Sequence, residues 1–158
     1  MNRTLKALIP LALFIGIAVF LFKGLGMNPR EIPSPLIGKP VPQFELPRLL
    51  QPDQTLSNTD LLGKVSLVNV WAEHEVLVQL ARSGQVDIYG LNWKDERDKA
   101  TLWLRRLGDP YTATAFDEIG RTAIDLGVYG APETFVVDAK GMIRYKHAGP
   151  LSVELVNK

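Results

Sequence analysis

Val65 to Glu75 reads VSLVNVWAEHE, an apolar strand that runs into a helical pattern with no loop between the two. Val65, Leu67, Val68, Val70 and Trp71 form a short, mostly β-branched run, as expected of a strand buried on both faces in the middle of a sheet. From Val76 the spacing changes to Val76, Leu77, Leu80 and Ala81, one side of a helix. A strand-to-helix connection ordinarily takes roughly 2 to 6 residues. Here only Ala72, Glu73, His74 and Glu75 are available, and none is a turn-forming Gly, Pro, Asn or Asp.

Outward from this junction the pattern is α/β. Phe44 and Leu46 alternate with polar residues as a short strand does, and Ser57 to Leu62 reads as a capped helical turn stopped by Gly63. After the helix to Ala81, Val86, Ile88 and Leu91 mark a second strand, and Asp95 is a candidate N-cap. Ala100, Trp103, Leu104 and Leu107 give the clearest helix, closed by Gly108-Asp109-Pro110. This strand, helix, strand, helix order predicts parallel strands with crossover helices. Ala115-Phe116 is a brief strand and Arg121 to Leu126 a short helix ended by Gly127. Thr134–Val137 and Met142–His147 then form a hairpin across Asp138 to Gly141. Strict alternation puts Ile143, Tyr145 and His147 on one face of the last strand and Arg144 with Lys146 on the other, with His147 at the rim. Leu151 to Val156 begins a helix too short to stand alone.

Ala7 to Phe22 is uncharged and apolar, and with Lys6 and Lys23 snorkelling at its ends it offers a span of about 20 residues. The competitor is a cleaved signal peptide, but Lys23-Gly24-Leu25-Gly26-Met27 is not a small-residue cleavage site. Residues 1–26 are therefore expected to be one transmembrane anchor. Arg3 and Lys6 place the N-terminus in the cytoplasm and the remainder outside. Residues 27–43 carry Pro29, Pro33, Pro35, Pro40 and Pro42, as an extended stalk would, and residues 44–158 form the folded domain.

Composition narrows the chemistry. The chain is 46% hydrophobic and 22% charged, a globular balance. Removing Arg3, Lys6 and Lys23 from the 18 basic residues leaves 15 against 17 acidic ones, which argues against a nucleic-acid partner. There is no cysteine, so disulfides, thiolate metal sites and thiol catalysis are excluded. His74 and His147 are too few and too far apart to suggest a metal site, and no cofactor is expected.

Four features together resemble a known family: GVYGAPETF at Gly127 to Phe135, FELP at Phe44 to Pro47, LVNVWA at Leu67 to Ala72, and the anchor. They are similar to the membrane-anchored thiol:disulfide interchange proteins of cytochrome c maturation, the DsbE family, which are thioredoxin-like. The resemblance implies an α/β/α sandwich on a central mixed sheet, preceded by one transmembrane helix. It also implies a bacterial inner-membrane protein, single-pass, with its domain in the periplasm. Apocytochrome c and cytochrome c maturation proteins would be its partners.

In that family the strand ending in Trp-Ala leads into Trp-Cys-x-x-Cys, whose first thiolate attacks a disulfide and whose second cysteine resolves the product. Here Glu73 follows Ala72 at once, so about eight residues of the pattern, both thiols among them, are missing. The family's final helix also extends beyond Lys158, so the resemblance implies an incomplete fold, lacking the start of the active-site helix and the last helix. No catalytic residue remains and no disulfide exchange is expected. Trp71, Glu73 and His74 are the active-site remnant, with Trp71 expected in the core; Trp93 and Trp103 read as packing residues too. On the opposite wall Tyr129, Gly130, Ala131, Pro132 and Glu133 form the substrate groove, with Ala131-Pro132 matching the family's cis-proline. Glu133 corresponds to an acidic group near the family's thiols; with none left to tune, it reads as a solvated loop carboxylate, and Tyr129 lines the groove or packs. Two further readings stay open: a degenerate fragment without function, in which the shortened junction ends the strand early or unwinds the helix, and a non-catalytic module that binds apocytochrome or a maturation partner.

Overall fold

The computed structural model describes residues 3–25, 34–71 and 75–152. The chain divides into two units, residues 1–32 and 33–158. The first holds helix α1, Arg3–Leu25, which tolerates Pro10 inside it. Its described side chains, residues 9–23, are exposed and apolar up to Lys23. Over the described residues no helix is long and apolar enough to cross a membrane.

In the second unit β1 (Glu45–Pro47) pairs antiparallel with β2 (Thr55–Ser57), and a 3-10 helix, Asn58–Leu61, comes next. Ser57 starts that helix in a capping box: the Asp60 carboxylate accepts the Ser57 N–H at 2.7 Å. The main sheet then builds from β3 (Ser66–Val70), α2 (Glu75–Ser83), β4 (Asp87–Trp93), α3 (Arg97–Leu107), β5 (Ala113–Asp117), α4 (Arg121–Asp125), β6 (Glu133–Val137) and β7 (Ile143–Ala148). Its strand order is β5-β4-β3-β6-β7. β3, β4 and β5 run parallel, while β6 is antiparallel to both β3 and β7, a mixed sheet.

The sheet is covered on both faces because β3 is apolar in both directions. Val68 and Val70 pack with Leu61, Ala123, Leu126, Phe135 and Val137 on the side of α4. Leu67 and Trp71 point the other way, to Leu77 of α2 and Ala100 and Leu104 of α3. β3 does not end early at the tight junction. It keeps its full pairing from Ser66↔Asp87 to Val70↔Leu91 on one side and from Ser66↔Val137 to Val70↔Glu133 on the other. α2 is helical from Glu75. A strand with buried neighbours on both edges and both faces cannot slip register without turning its core residues outward.

Two local readings are corrected. The N-cap of α3 is Glu96, without a side-chain cap bond. Asp95 closes the preceding turn instead, accepting the Glu96 N–H at 2.7 Å and an Asn92 Nδ2 proton at 3.2 Å. In β7 the alternation breaks: Val136 pairs with Tyr145 but Val137 with Ile143, a bulge that places two residues opposite one. Leu151 and Ser152 have no regular structure, though Leu151 packs on the α2/α3 core; the remainder of the helix expected there lies outside the described residues.

Candidate functional site

The last paired residues of β3 and β6 are Val70 and Glu133. One step further along the same register sets Trp71 opposite Pro132. The end of β3 and the loop before β6 thus meet at one end of the sheet, where the sequence places the candidate groove. Ala131-Pro132 is the cis bond the family pattern implies. Ala131 is exposed and Pro132 half-buried, and the Pro132 carbonyl accepts the Gly149 N–H at 2.8 Å, tying the loop to the chain beyond β7. Trp71 is a core residue: it is 9% exposed, stacks on Trp103 with ring centroids 4.7 Å apart, and lies tilted to Tyr111 at 6.0 Å. Trp93 packs, half-buried, against the opposite core, and Trp103 against that of Trp71. Glu73 and His74 lie outside the described residues. His147 is half-buried, with Nε2 3.1 Å from the Pro150 carbonyl. Among the described residues no group of three or more His, Asp or Glu side chains could hold a metal ion.

Glu133 is not a solvated loop carboxylate. It opens β6 and is only 2% exposed. Its Oε2 forms an ion pair with Lys146 Nζ at 2.9 Å, the lysine side chain being 4% exposed, and its Oε1 accepts the Tyr129 N–H at 3.0 Å. A carboxylate so buried needs a cation beside it. The bulge supplies one. Because Ile143 pairs with Val137 and Lys146 with Phe135, Ile143 and Lys146 lie on the same face, not on opposite faces as strict alternation predicts. Tyr129 is 66% exposed, and its ring lies against Lys146 Nζ with the centroid 4.4 Å away.

Between β3, β6 and Tyr111 lies a polar network with no clear signal in the sequence. Asn69, buried in the centre of β3, donates from Nδ2 to Thr134 Oγ1 at 2.9 Å and accepts the Tyr111 hydroxyl at Oδ1, also at 2.9 Å. Burial pushes the Tyr111 phenol well above its ordinary range, with a smaller push from Asp109, so it stays a proton donor. Gly90 makes room for it: a Cβ there would meet Thr114 Oγ1 at 2.7 Å and the Tyr111 ring at 3.1 Å. The lone amide inside an otherwise apolar strand was the available hint, since a buried Asn needs partners.

A mixed five-stranded sheet with helices on both faces and a cis-proline loop beside the end of its central strand defines a thioredoxin-like protein. The Redoxin family model matches residues 36–157. A solved secreted thiol-disulfide isomerase from Corynebacterium glutamicum superposes with a TM-score of 0.61 at 19% identity, over 73% of this chain and 80% of that one, a likeness of fold. Sequence relatives are more specific. The thiol:disulfide interchange protein DsbE of Allochromatium vinosum is 51% identical over 98% of this chain and 91% of its own length. That of Escherichia coli strain K12 is 47% identical over 92% and 85%. The chain belongs to the DsbE family of thiol:disulfide interchange proteins. The Allochromatium alignment runs over 164 positions against a chain of 158 residues, so at least 164 − 158 = 6 positions of the relative have no counterpart here.

Proposed function

We propose that this chain is a redox-inert member of its family, with the groove architecture of a thiol:disulfide interchange protein and without the exchange reaction. The observation that carries this reading is the absence of any cysteine in 158 residues. Disulfide exchange requires a thiolate to attack and a second sulfur to be displaced, and no oxygen or nitrogen side chain substitutes in that step. The unmatched alignment positions and the short passage from Trp71 to α2 at Glu75 support a loss located between Ala72 and Glu73, where the family carries its two thiols. Insulin reduction by the purified full chain in detergent, with dithiothreitol as electron source, is expected to match the protein-free control. Turnover above that control would overturn the proposal.

What the chain retains is the opposite bank, which favours a second element of function: binding an extended polypeptide such as an apocytochrome segment at Tyr129 to Pro132. Exposed Ala131 and Tyr129 beside a tethered Pro132 support that reading over a fragment without function. The unbroken pairing of β3 supports it as well. We place the domain on the periplasmic side of the bacterial inner membrane, with α1 as its anchor. The uncharged apolar run from Ala7 to Phe22, with Lys6 and Lys23 at its ends, supports that reading. Recovery of the full chain in the membrane fraction after carbonate washing tests the anchor; recovery in the soluble fraction would refute it.

A further inference from the structure

We infer that Lys146 is the positioning residue of the groove, holding the whole loop from Gly127 to Glu133 on one ammonium group from below. The inference deepens the binding reading above and rests on it only for its peptide arm. An ammonium has three protons and no acceptor. Three partners surround the Lys146 ammonium: the Gly127 carbonyl accepts a hydrogen bond at 2.7 Å, Glu133 Oε2 is ion-paired at 2.9 Å, and the Tyr129 ring centroid lies 4.4 Å from Nζ. The first two contacts grip the two ends of the loop. The third, together with the Tyr129 N–H bond to Glu133 Oε1, grips its middle. Phe135, with its ring 5.4 Å from Nζ, closes the apolar side of the site.

None of these contacts involves β3 or α2. The start of the loop is held in addition by α4, where the Ile124 carbonyl accepts the Gly127 N–H at 2.8 Å and the Ala123 carbonyl the Val128 N–H at 2.9 Å. A lysine acting only as a counter-ion for Glu133 would need the carboxylate alone. Lys146 also closes on a backbone carbonyl and an exposed ring, and both belong to the loop from Gly127 to Glu133. The bulge at Val136/Val137 makes the arrangement possible, since it brings Lys146 onto this face.

The test uses the full chain in detergent, with amide hydrogen exchange read at Tyr129 and, as a fold control, at Val68 and Val70. A second readout is the affinity of a synthetic extended peptide carrying Cys-x-x-Cys-His with both cysteines replaced by serine. Lys146→Met keeps the apolar stem and removes the ammonium. It is expected to accelerate exchange at Tyr129 by about tenfold or more, as loss of a charged hydrogen-bond partner implies, with Val68 and Val70 unchanged. Peptide affinity is expected to fall by a similar factor. The charge-swapped pair Glu133→Lys with Lys146→Glu separates positioning from simple ion pairing. It keeps an ion pair but sets a carboxylate against the Gly127 carbonyl and the Tyr129 ring, so Tyr129 is expected to stay unprotected. Restored protection in the swap, unchanged exchange at Tyr129 in Lys146→Met, or equal acceleration at Val68 and Val70 would each overturn the inference. Should Lys146→Met not fold, Lys146→Gln, which also removes the ammonium and keeps a side chain of similar length, decides by the same criterion. A wild-type chain that does not bind the peptide refutes the binding reading, and the exchange result still decides the role of Lys146.

Discussion

The proposed binding bank is assembled from two separated stretches of chain, the loop from Gly127 to Glu133 and the segment from Lys146 on β7 to Gly149 beyond it, joined by an ion pair and by bonds to the backbone. The other side is a single local passage: only four residues separate the end of β3 at Val70 from the start of α2 at Glu75. The first is a product of the tertiary fold, so the sheet that forms it holds it. On the function proposed above, the second is where the family's thiol segment is lost; β3 nevertheless keeps its register, which it takes from β4 and β6. Shape and chemistry are thus stored in different parts of the chain. A protein can lose the one and keep the other.

The largest effect is expected from rebuilding the depleted bank. Insertion between Ala72 and Glu73 of the family's segment of about eight residues, Trp-Cys-x-x-Cys included, should give insulin reduction where the parent chain gives none, since a thiolate at a helix N-terminus is what the reaction lacks. No activity in a folded insertion variant would show that the retained bank is not a working partner for the thiols. A smaller effect concerns the link between the two sides, where Asn69 on β3 is bonded to Thr134 on β6 and to Tyr111. Tyr111→Phe leaves the Asn69 oxygen buried without this donor, at a cost of about 1–2 kcal/mol measured by urea denaturation. A neutral result would mean that the network does not help to join the banks.

The smallest effect lies at the far end of β6, away from the groove. The Met142 N–H, with help from Arg144 and the Lys140 N–H and against partial desolvation, holds the Asp138 carboxyl below its ordinary value. The unfolded chain then binds more protons through that range, so this contribution is complete above the ordinary carboxylate pKa and is lost as pH falls through the lowered one. Asp138→Asn should flatten the acid limb of the stability profile slightly and leave peptide affinity unchanged. A change in affinity would mean that the hairpin and the groove are coupled.

Most of the fold was legible in the sequence. Alternation, helical spacing and turn residues placed every strand of the main sheet, and the family motif marked the cis bond. Three features were not. Glu133 reads as a loop carboxylate because its cation is far away in sequence. Lys146 reads as sharing the face of Arg144, opposite Ile143, because a bulge is invisible to a period-2 pattern and reverses every facing beyond it. Asn69 offers only its polarity, and its partners come from β6 and from the residues before β5. In each case local spacing was read correctly and the missing information was a pairing between strands.

The ring of contacts around Lys146 also bears on the entropy of association. A loop that must be ordered when its ligand arrives subtracts the loss of its backbone and side-chain freedom from the affinity. Here Gly127, Tyr129 and Glu133 are already fixed to one another before anything enters the groove. An extended segment of the kind proposed, settling against Ala131 and Pro132, would therefore give up its own freedom and little of the protein's.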